Sequence, residues 1–453
     1  MAEAVRHEKT ARQLRLLSDA LDSGRLGPVR RLVNTLSPAE IGNLLESLPP
    51  AKRTVVWGLV DPEDDGEVLV HVGDDVRESL LAEMDPDEIV AAVEDLDIDD
   101  LADLVEDLPD TVIDEVLKSM DRDNRERLEQ VLSYDEETAG RLMNPDVVTV
   151  RTDTTVDVVL RYLRLRGELP DHTDHLYVVS RRHQYLGRIA LQALLTREPS
   201  TPINQLIDDE QPAIHVDEST DEVARQFSDH DWISAPVVDD SNILLGRITI
   251  DDVVDIIREQ AEHQVLGAAG LDEEEDLFSP VPRAWRRRIL WLGVNLCTAF
   301  LASSVVGQFQ GTIDRIVALA VLMPIVAGMG GNAGTQVLAL MIRGLALGQV
   351  GASNVQTLLW KEIRVALMNG LMIGGIVGLA TWAWFQDPML ALVIGVAMTL
   401  NLLFAALAGV LVPVTLRRMN LDPALAGGVI LTTVTDVMGF LAFLGLATLI
   451  LLR

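Results

Sequence analysis

The sequence predicts a multidomain fold: a cytosolic α-helical superhelix, then a pair of small α/β domains, then an α-helical membrane domain of five transmembrane helices. Three observations predict it. Of 69 acidic and 37 basic residues, only 5 and 10 lie from Ala284 onward, leaving 64 against 27 in residues 1–283. Five apolar stretches in the second part reach or approach the roughly 20 residues a bilayer requires. Between residues 133 and 257 a strand–helix–strand–strand–helix pattern occurs twice.

Residues 1–132 read as short amphipathic helices. Two starts recur 48 residues apart, Ser37-Pro38-Ala39-Glu40-Ile41 and Asp85-Pro86-Asp87-Glu88-Ile89. Each combines an N-cap residue, Pro at the first helical position and Glu three after the cap. Apolar-periodic segments follow at Ile98–Asp107 and Thr111–Ser119. Repeated helical units of this kind build superhelical domains. Met1 to Ala20 is charged and has no apolar core segment, so no cleavable signal peptide is expected and the acidic half is assigned to the cytoplasm.

The α/β part divides at 133–200 and 201–257. Its first copy carries Val147–Val150, a helix over Thr155–Leu165, the strands Leu176-Tyr-Val-Val179 and Tyr185-Leu-Gly-Arg-Ile-Ala190, and a helix from Leu191. The second repeats this as Ala213–Val216, Thr220–Phe227, Ala235-Pro-Val-Val238, Leu245-Gly-Arg-Ile-Thr-Ile250 and Asp251–Ile257. The tandem resembles a pair of CBS domains, a regulatory module. In CBS domains that bind adenosine nucleotides, a Thr or Ser followed three residues later by Asp holds the ribose and phosphate. Here Thr249 and Asp252 match that pair, and the first copy, with Ala190 and Ala193, lacks both groups. The resemblance therefore implies at most one site, for a ligand such as ATP.

Asp252, Asp255, Glu259 and Glu262 follow at spacings of three, four and three, which stacks four carboxylates on one helix face. Asp99, Asp100 and Asp103 form another acidic face upstream. Like charges stacked in this way repel, and a hard divalent cation with oxygen ligands relieves the repulsion. A second reading stays open. Only four basic residues are Lys, and an acidic, Lys-poor surface also suits a high-salt cytoplasm. Asp272–Asp276 is read as a solvated acidic linker. Nucleic acid is excluded as a partner of this half, since it demands a basic face.

The spans run roughly Ile289–Val306, Ile316–Ile342, Val365–Phe385, Met389–Leu416 and Ala424–Leu452. With the first entering from the cytoplasm, the inner flanks hold Arg283, Arg286, Arg287, Arg288, Arg343, Lys361, Arg364, Arg417 and Arg418, and the outer flanks only Arg315 and Arg453. That asymmetry places the N-terminus inside and the C-terminus outside. Five spans per chain do not divide into two inverted repeats, so a homodimer with its pathway near the two-fold axis is the natural alternative. Asp436 is the only charge between Ala424 and Leu452. A carboxylate at that depth costs about 3 kcal/mol on insertion scales and by default marks a functional site. Pro324-Ile-Val-Ala-Gly-Met-Gly-Gly-Asn-Ala-Gly-Thr-Gln336 is equally out of place in a lipid-facing helix, and predicts a broken, polar backbone lining a cavity.

This order of parts, with Gly330-Gly-Asn-Ala-Gly-Thr-Gln336 and Thr433-Val-Thr-Asp436, resembles the MgtE family of magnesium channels over essentially the whole chain. The resemblance implies a homodimer whose pore holds hydrated Mg²⁺ between the fifth-span aspartates of both chains. Asp436 matches that aspartate, Gly331, Asn332, Gly334 and Thr335 match second-span groups that help, and Thr432 lies one turn before Asp436. It also implies a linking helix, here about Glu259 to Asp276 within a linking segment 258–282, that closes the pore when cytoplasmic Mg²⁺ bridges acidic faces. Asp99, Asp103, Asp252, Asp255, Glu259 and Glu262 are the expected sensor, and 283–453 the pore domain. Two departures bear on selectivity. Thr335 stands where an amide is frequent, and Gly427-Gly428 where an Asn-Pro pair occurs.

The function expected is Mg²⁺ influx through the cell membrane by a channel that cytoplasmic Mg²⁺ closes. A carrier for another divalent cation, regulated by nucleotide at the CBS pair, is the alternative. An enzyme is not expected. The membrane half contains no His and no nucleophile beside a base, and the single cysteine, Cys297, allows neither disulfide nor zinc cluster.

Overall fold

The computed structural model describes residues 17, 19–23, 26–94, 96–271, 276–351 and 353–452. Its contacts divide the chain into two units, Met1–Gln260 with Glu274–Ser279, and Ala261–Glu273 with Pro280–Arg453.

Among the described residues, from Leu26 onward the first unit runs through the helices α1 Leu26–Val33, α2 Pro38–Glu46, α3 Pro50–Trp57, α4 Asp65–Val70, α5 Asp74–Leu81, α6 Pro86–Val93, α7 Ile98–Glu106, α8 Asp110–Ser119 and α9 Arg122–Val131. Both repeated starts form closed capping boxes. At α2, Ser37 and Glu40 each take the other's backbone N–H, and at α6 Asp85 and Glu88 do the same. Helices of six to ten residues are marginal alone, and here an apolar face on each supplies the stability.

The short helix α10, Ala139–Leu142, leads into the α/β pair. Copy one comprises β1 Thr149–Arg151, α11 Val156–Arg166, β2 His175–Val179, β3 Tyr185–Ala190 and α12 Leu191–Thr196. Copy two comprises β4 Ile214–His215, α13 Thr220–His230, β5 Ser234–Val238, β6 Leu244–Thr249 and α14 Ile250–Gly267. In each sheet the first strand pairs parallel to the second and the second antiparallel to the third. Both hairpins carry a register shift at the matching place, Val178/Val179 and Val237/Val238.

The copies are interlaced. Arg188 of β3 bridges Asp208, which precedes copy two, and Arg247 of β6 bridges Asn144, which precedes copy one. Gly187 and Gly246 let those segments cross, since a Cβ on them would lie 2.7 Å from the Asp208 carbonyl oxygen and 2.8 Å from that of Asn144. One apolar core runs from the helical domain, through Leu101, Leu104 and Val131, into copy two, through Ile214, Phe227 and Val253. A buried bond from Arg141 Nη2 to the Ala102 carbonyl, 2.6 Å, adds a polar tie between the two.

The expected linking helix is not a separate element. It is the second half of α14, one 18-residue helix that continues copy two and ends at Gly267, short of Asp276. Gly270, at φ +72°, turns the chain there. Residues 272–275 of the acidic linker lie outside the described residues. Asp276 contradicts the expectation of solvation: its carboxylate is buried against Arg53 Nη2 at 2.8 Å, with the two side chains 6% and 3% exposed. Arg53 also donates from Nε to the Leu45 carbonyl and from Nη2 to that of Leu48.

Among the described residues, the second unit holds five helices long and apolar enough to cross a membrane: α15 Val281–Gln308, α17 Ala318–Ala346, α18 Val355–Phe385, α19 Pro388–Arg418 and α20 Pro423–Leu451, with the short α16 Gln310–Arg315 after α15. Half of α19's apolar window is buried, against 11% for α15, so α19 is the centre of the bundle. Its core is shared with α17 and α20 through Leu322, Val326, Ile394, Met398, Phe443 and Leu444. Helix α18 meets α19 backbone to backbone: a Cβ on Gly374 would lie 2.6 Å from the Gly395 carbonyl oxygen, the close approach that small residues permit between membrane helices.

Helix α17 corrects the expectation of a broken second span. It continues through Pro324 and the glycines as one 29-residue helix. Proline removes one N–H from the ladder, and packing on α19 and α20 holds the helix together.

Candidate functional site

Two sites emerge, one in each unit. In the second, Asp422 and Pro423 start α20, the Asp422 carboxylate taking the N–H groups of Ala424 and Leu425, each at 2.9 Å. Fourteen residues on stands Asp436. Thr435 and Gly439 are buried against the bundle, so the neighbouring face, with Thr432 exposed and Asp436 half-buried, is turned away from the core. Among the described residues, no basic side chain pairs with Asp436.

The polar face of α17 flanks the same seam. Gly330 and Gly334 are buried, whereas Asn332, Thr335 and Gln336 are exposed. A Cβ on Gly334 would lie 2.9 Å from Leu431 Cδ1, so Gly334 is where α17 touches α20. Gly427 makes a second close contact, with Leu338. Thr335 and Thr432 directly follow the two residues of the Gly334–Leu431 contact. Their hydroxyls donate to the carbonyls of Gly331 and Gly428, each at 2.9 Å, which leaves oxygen lone pairs for a cation. Gly331 and Gly334 both lie within the helical ladder. The set of one carboxylate, two hydroxyl oxygens and amides is all hard oxygen, the chemistry that suits Mg²⁺ with several waters retained.

In the first unit, the start of α7 faces the start of α14. Asp99 accepts from Asn144 Nδ2 at 3.1 Å and is pushed well above the usual carboxylate range, by burial first and then by the charge of Asp252. Burial also raises Asp252 to about 8, with Asp251 adding to it, and Asp100 to about 7, with Asp97 and Asp103 adding to it. Glu259 is raised by burial, then by Asp255. Asp103 is exposed, and Asp255 forms a 3.4 Å pair with Arg258. Glu262, a turn beyond Glu259, is exposed. Charged carboxylates crowded in this way store a repulsion that a divalent cation relieves. No three His, Cys, Asp or Glu side chains among the described residues converge into a close metal cage.

The expected nucleotide pair is closed on itself. Thr249 is buried, its hydroxyl meets Asp251 and Asp252, and its N–H donates to Asp252 Oδ2 at 3.2 Å.

Reading by helix face did not find three participants. Asp97 and Asp251 belong to the acidic cluster through tertiary contact. His263, whose Nε2 lies 3.0 Å from Asp422 Oδ2, ties α14 to the start of α20. An Asp-Pro pair opening an apolar run was the available signal for the Asp422 cap.

Comparison with known proteins bears on both sites. Residues 323–446 match a family model described as a divalent cation transporter, residues 36–137 the MgtE intracellular N domain, and residues 139–199 and 203–259 the CBS domain. The chain is 31% identical over 440 residues to the magnesium transporter MgtE of Thermus thermophilus, covering 96% of this chain and 98% of that protein. It is 26% identical over 430 residues to the magnesium transporter MgtE of Bacillus subtilis, covering 94% and 95%. Among solved structures, the cytosolic domain of the Mg²⁺ channel MgtE in complex with ATP aligns with 53% of this chain and 98% of its own, at 30% identity and a TM-score of 0.48. With its membrane helices, CBS pair and N-terminal helices all accounted for in one order, this chain belongs to the MgtE family.

Proposed function

We propose that this protein transports Mg²⁺, as the relatives named above are named for doing, and that it does so as a channel in the cell membrane, passing Mg²⁺ inward and closed by Mg²⁺ on its cytoplasmic side. The single observation that carries this reading is Asp436, a carboxylate with no basic partner among the described residues on an otherwise apolar membrane helix, set one turn from Thr432. Two copies related by a two-fold axis would bring two such carboxylates to one divalent ion, so the working unit is read as a homodimer. The N-terminus lies in the cytoplasm and the C-terminus outside, on the Lys and Arg asymmetry of the flanks.

Closure rests on the acidic cluster. With cytoplasmic Mg²⁺ scarce, the crowding of Asp99, Asp100, Asp252 and Asp255 keeps part of the cluster protonated, and the members that ionise repel. With Mg²⁺ bound the repulsion is neutralised and the closed arrangement is favoured, a two-state coupling between sensor and pore. Asp103, Glu259 and Glu262 extend the same face. ATP is read as a second ligand at Thr249 and Asp252, one site per chain, and its binding would have to open the bonds that close that pair on itself. It is tested by titrating a fluorescent ATP analogue against the wild type and Thr249→Ala.

Currents from the purified protein in bilayers test the main reading while Mg²⁺ is stepped on the cytoplasmic side. Mg²⁺ currents that shut off as Mg²⁺ rises, and that vanish in Asp436→Asn, are expected. Slow saturable uptake without current would replace the channel by a carrier, and unchanged flux in Asp436→Asn would remove Asp436 from the pathway.

A further inference from the structure

Asn401 sits in the middle of α19 and is fully buried. An unpaired amide in an apolar medium costs several kcal/mol, and a Leu would fill that space without the cost. The amide is instead committed in one direction. Its Nδ2 donates to the Val326 carbonyl of α17 at 2.8 Å, one turn before Gly330. Its Oδ1 meets no N–H or O–H donor among the described residues.

Two glycines make room for it. A Cβ on Gly330 of α17 would lie 2.2 Å from Asn401 Nδ2, and one on Gly439 of α20 would lie 2.7 Å from the same atom. Oδ1 lies 3.1 and 3.0 Å from those two Cβ positions, beside the glycine Cα–H groups. Gly330 directly precedes the polar run Gly331-Asn332, and Gly439 is three residues beyond Asp436. One side chain thus wedges between the two helices that carry the candidate ion site, at the level of that site.

We propose that Asn401 is a positioning residue for ion transport: through its bond to Val326 and its seat between Gly330 and Gly439 it sets the separation and register of the α17 polar face against Asp436. This rests on the reading of α17 and α20 as the walls of the pathway. Asn401 does not touch the ion. It acts as a single buried amide does at a helix seam, where one directional bond selects one register among several that apolar packing tolerates.

The test separates the bond from the bulk. Asn401→Ala leaves a hole, Gly330→Ala places a methyl where the amide was, and Gly330→Ala combined with Asn401→Ala refills the gap without the hydrogen bond. Each full-length protein is reconstituted, and thermal stability, KM for Mg²⁺ and the flux of Mg²⁺, Co²⁺, Mn²⁺ and Ca²⁺ are measured. The expected result is that the double variant regains the stability Asn401→Ala loses, while its Mg²⁺-to-Ca²⁺ flux ratio stays about tenfold below the wild type, the size of one lost directional bond. Recovery of both stability and ratio in the double variant would reduce Asn401 to packing, as would an unchanged ratio in Asn401→Ala. A wild type that prefers another of these ions would overturn the Mg²⁺ reading but still judge Asn401 by its own ratio. A wild type that carries none would overturn both.

Discussion

Asp252, at the start of α14, is the charge that, after burial, does most to lift the Asp99 carboxyl above its usual range, so two residues 153 positions apart titrate as neighbours. That relationship makes pH a probe of the acidic cluster.

Asp100 rises from 3.8 to about 7 and Asp252 from 3.8 to about 8 in the folded protein. A carboxyl raised on folding contributes stability that is fully present below its unfolded value and is lost as pH rises through its folded value. In chelator, the thermal midpoint of the full chain should therefore fall between pH 6 and pH 9, by roughly 5 °C. Saturating Mg²⁺ should abolish most of that slope. A midpoint flat with pH in chelator would mean that these carboxylates do not face one another in solution.

Because a cation must displace these protons, Mg²⁺ binding near pH 7 should release about one to two protons per chain. Calorimetry in two buffers of different ionisation enthalpy measures it. Apparent Mg²⁺ affinity should strengthen from pH 6 to pH 8, and Asp252→Asn should remove the greater part of both effects. Equal heats in the two buffers would assign Mg²⁺ binding to groups already ionised.

A Cβ on Gly334 would press on the buried Leu431 side chain, 2.9 Å from Cδ1 and 3.1 Å from Cγ. Gly334→Ala should cost about 1–3 kcal/mol through overpacking and reduce Mg²⁺ flux at least tenfold by displacing Thr335. Leu431→Ala in the same protein should recover part of the stability. A Gly334→Ala protein with wild-type flux would show that the seam does not set the spacing of the two threonines.

Breaking the Arg53–Asp276 pair should be costly, since a charge is left buried without its partner. Arg53→Ala or Asp276→Ala should destabilise the cytosolic unit by about 3–5 kcal/mol, whereas Arg53→Met with Asp276→Leu should recover much of it. Chemical denaturation of the three variants measures this. Equal stability of Asp276→Ala and wild type would return the segment around Asp276 to solvent.

What the sequence disclosed, and what it hid, divides along physical lines. Local signals were legible. The capping boxes at Ser37 and Asp85, the repeated strand pattern around Gly187 and Gly246, the five apolar helices and the isolation of Asp436 all follow from rules acting within a turn or a strand. Helix faces were legible too, which brought out Asp99, Asp103, Asp252 and Asp255. The failures are of two kinds. A proline and four glycines read as a break in the second span, yet packing on α19 and α20 overrides intrinsic preference and keeps α17 whole. Groups that matter through distant contact left no local trace. Asp276 looked like one more solvated acid until Arg53 closed on it, and Asn401 was a lone amide in a long apolar run. Asp-Pro at Asp387 and Asp422 marks the starts of α19 and α20 and was there to be read.

Thr249 donates its N–H to Asp252 Oδ2 at 3.2 Å, and its hydroxyl meets both that oxygen and Asp251. Asp252 thus anchors the first turn of α14 with the same carboxyl group that the acidic cluster crowds. An ion held at its other oxygen, Oδ1, would leave that anchor intact, so gain or loss of the ion need not unwind the helix that reports it.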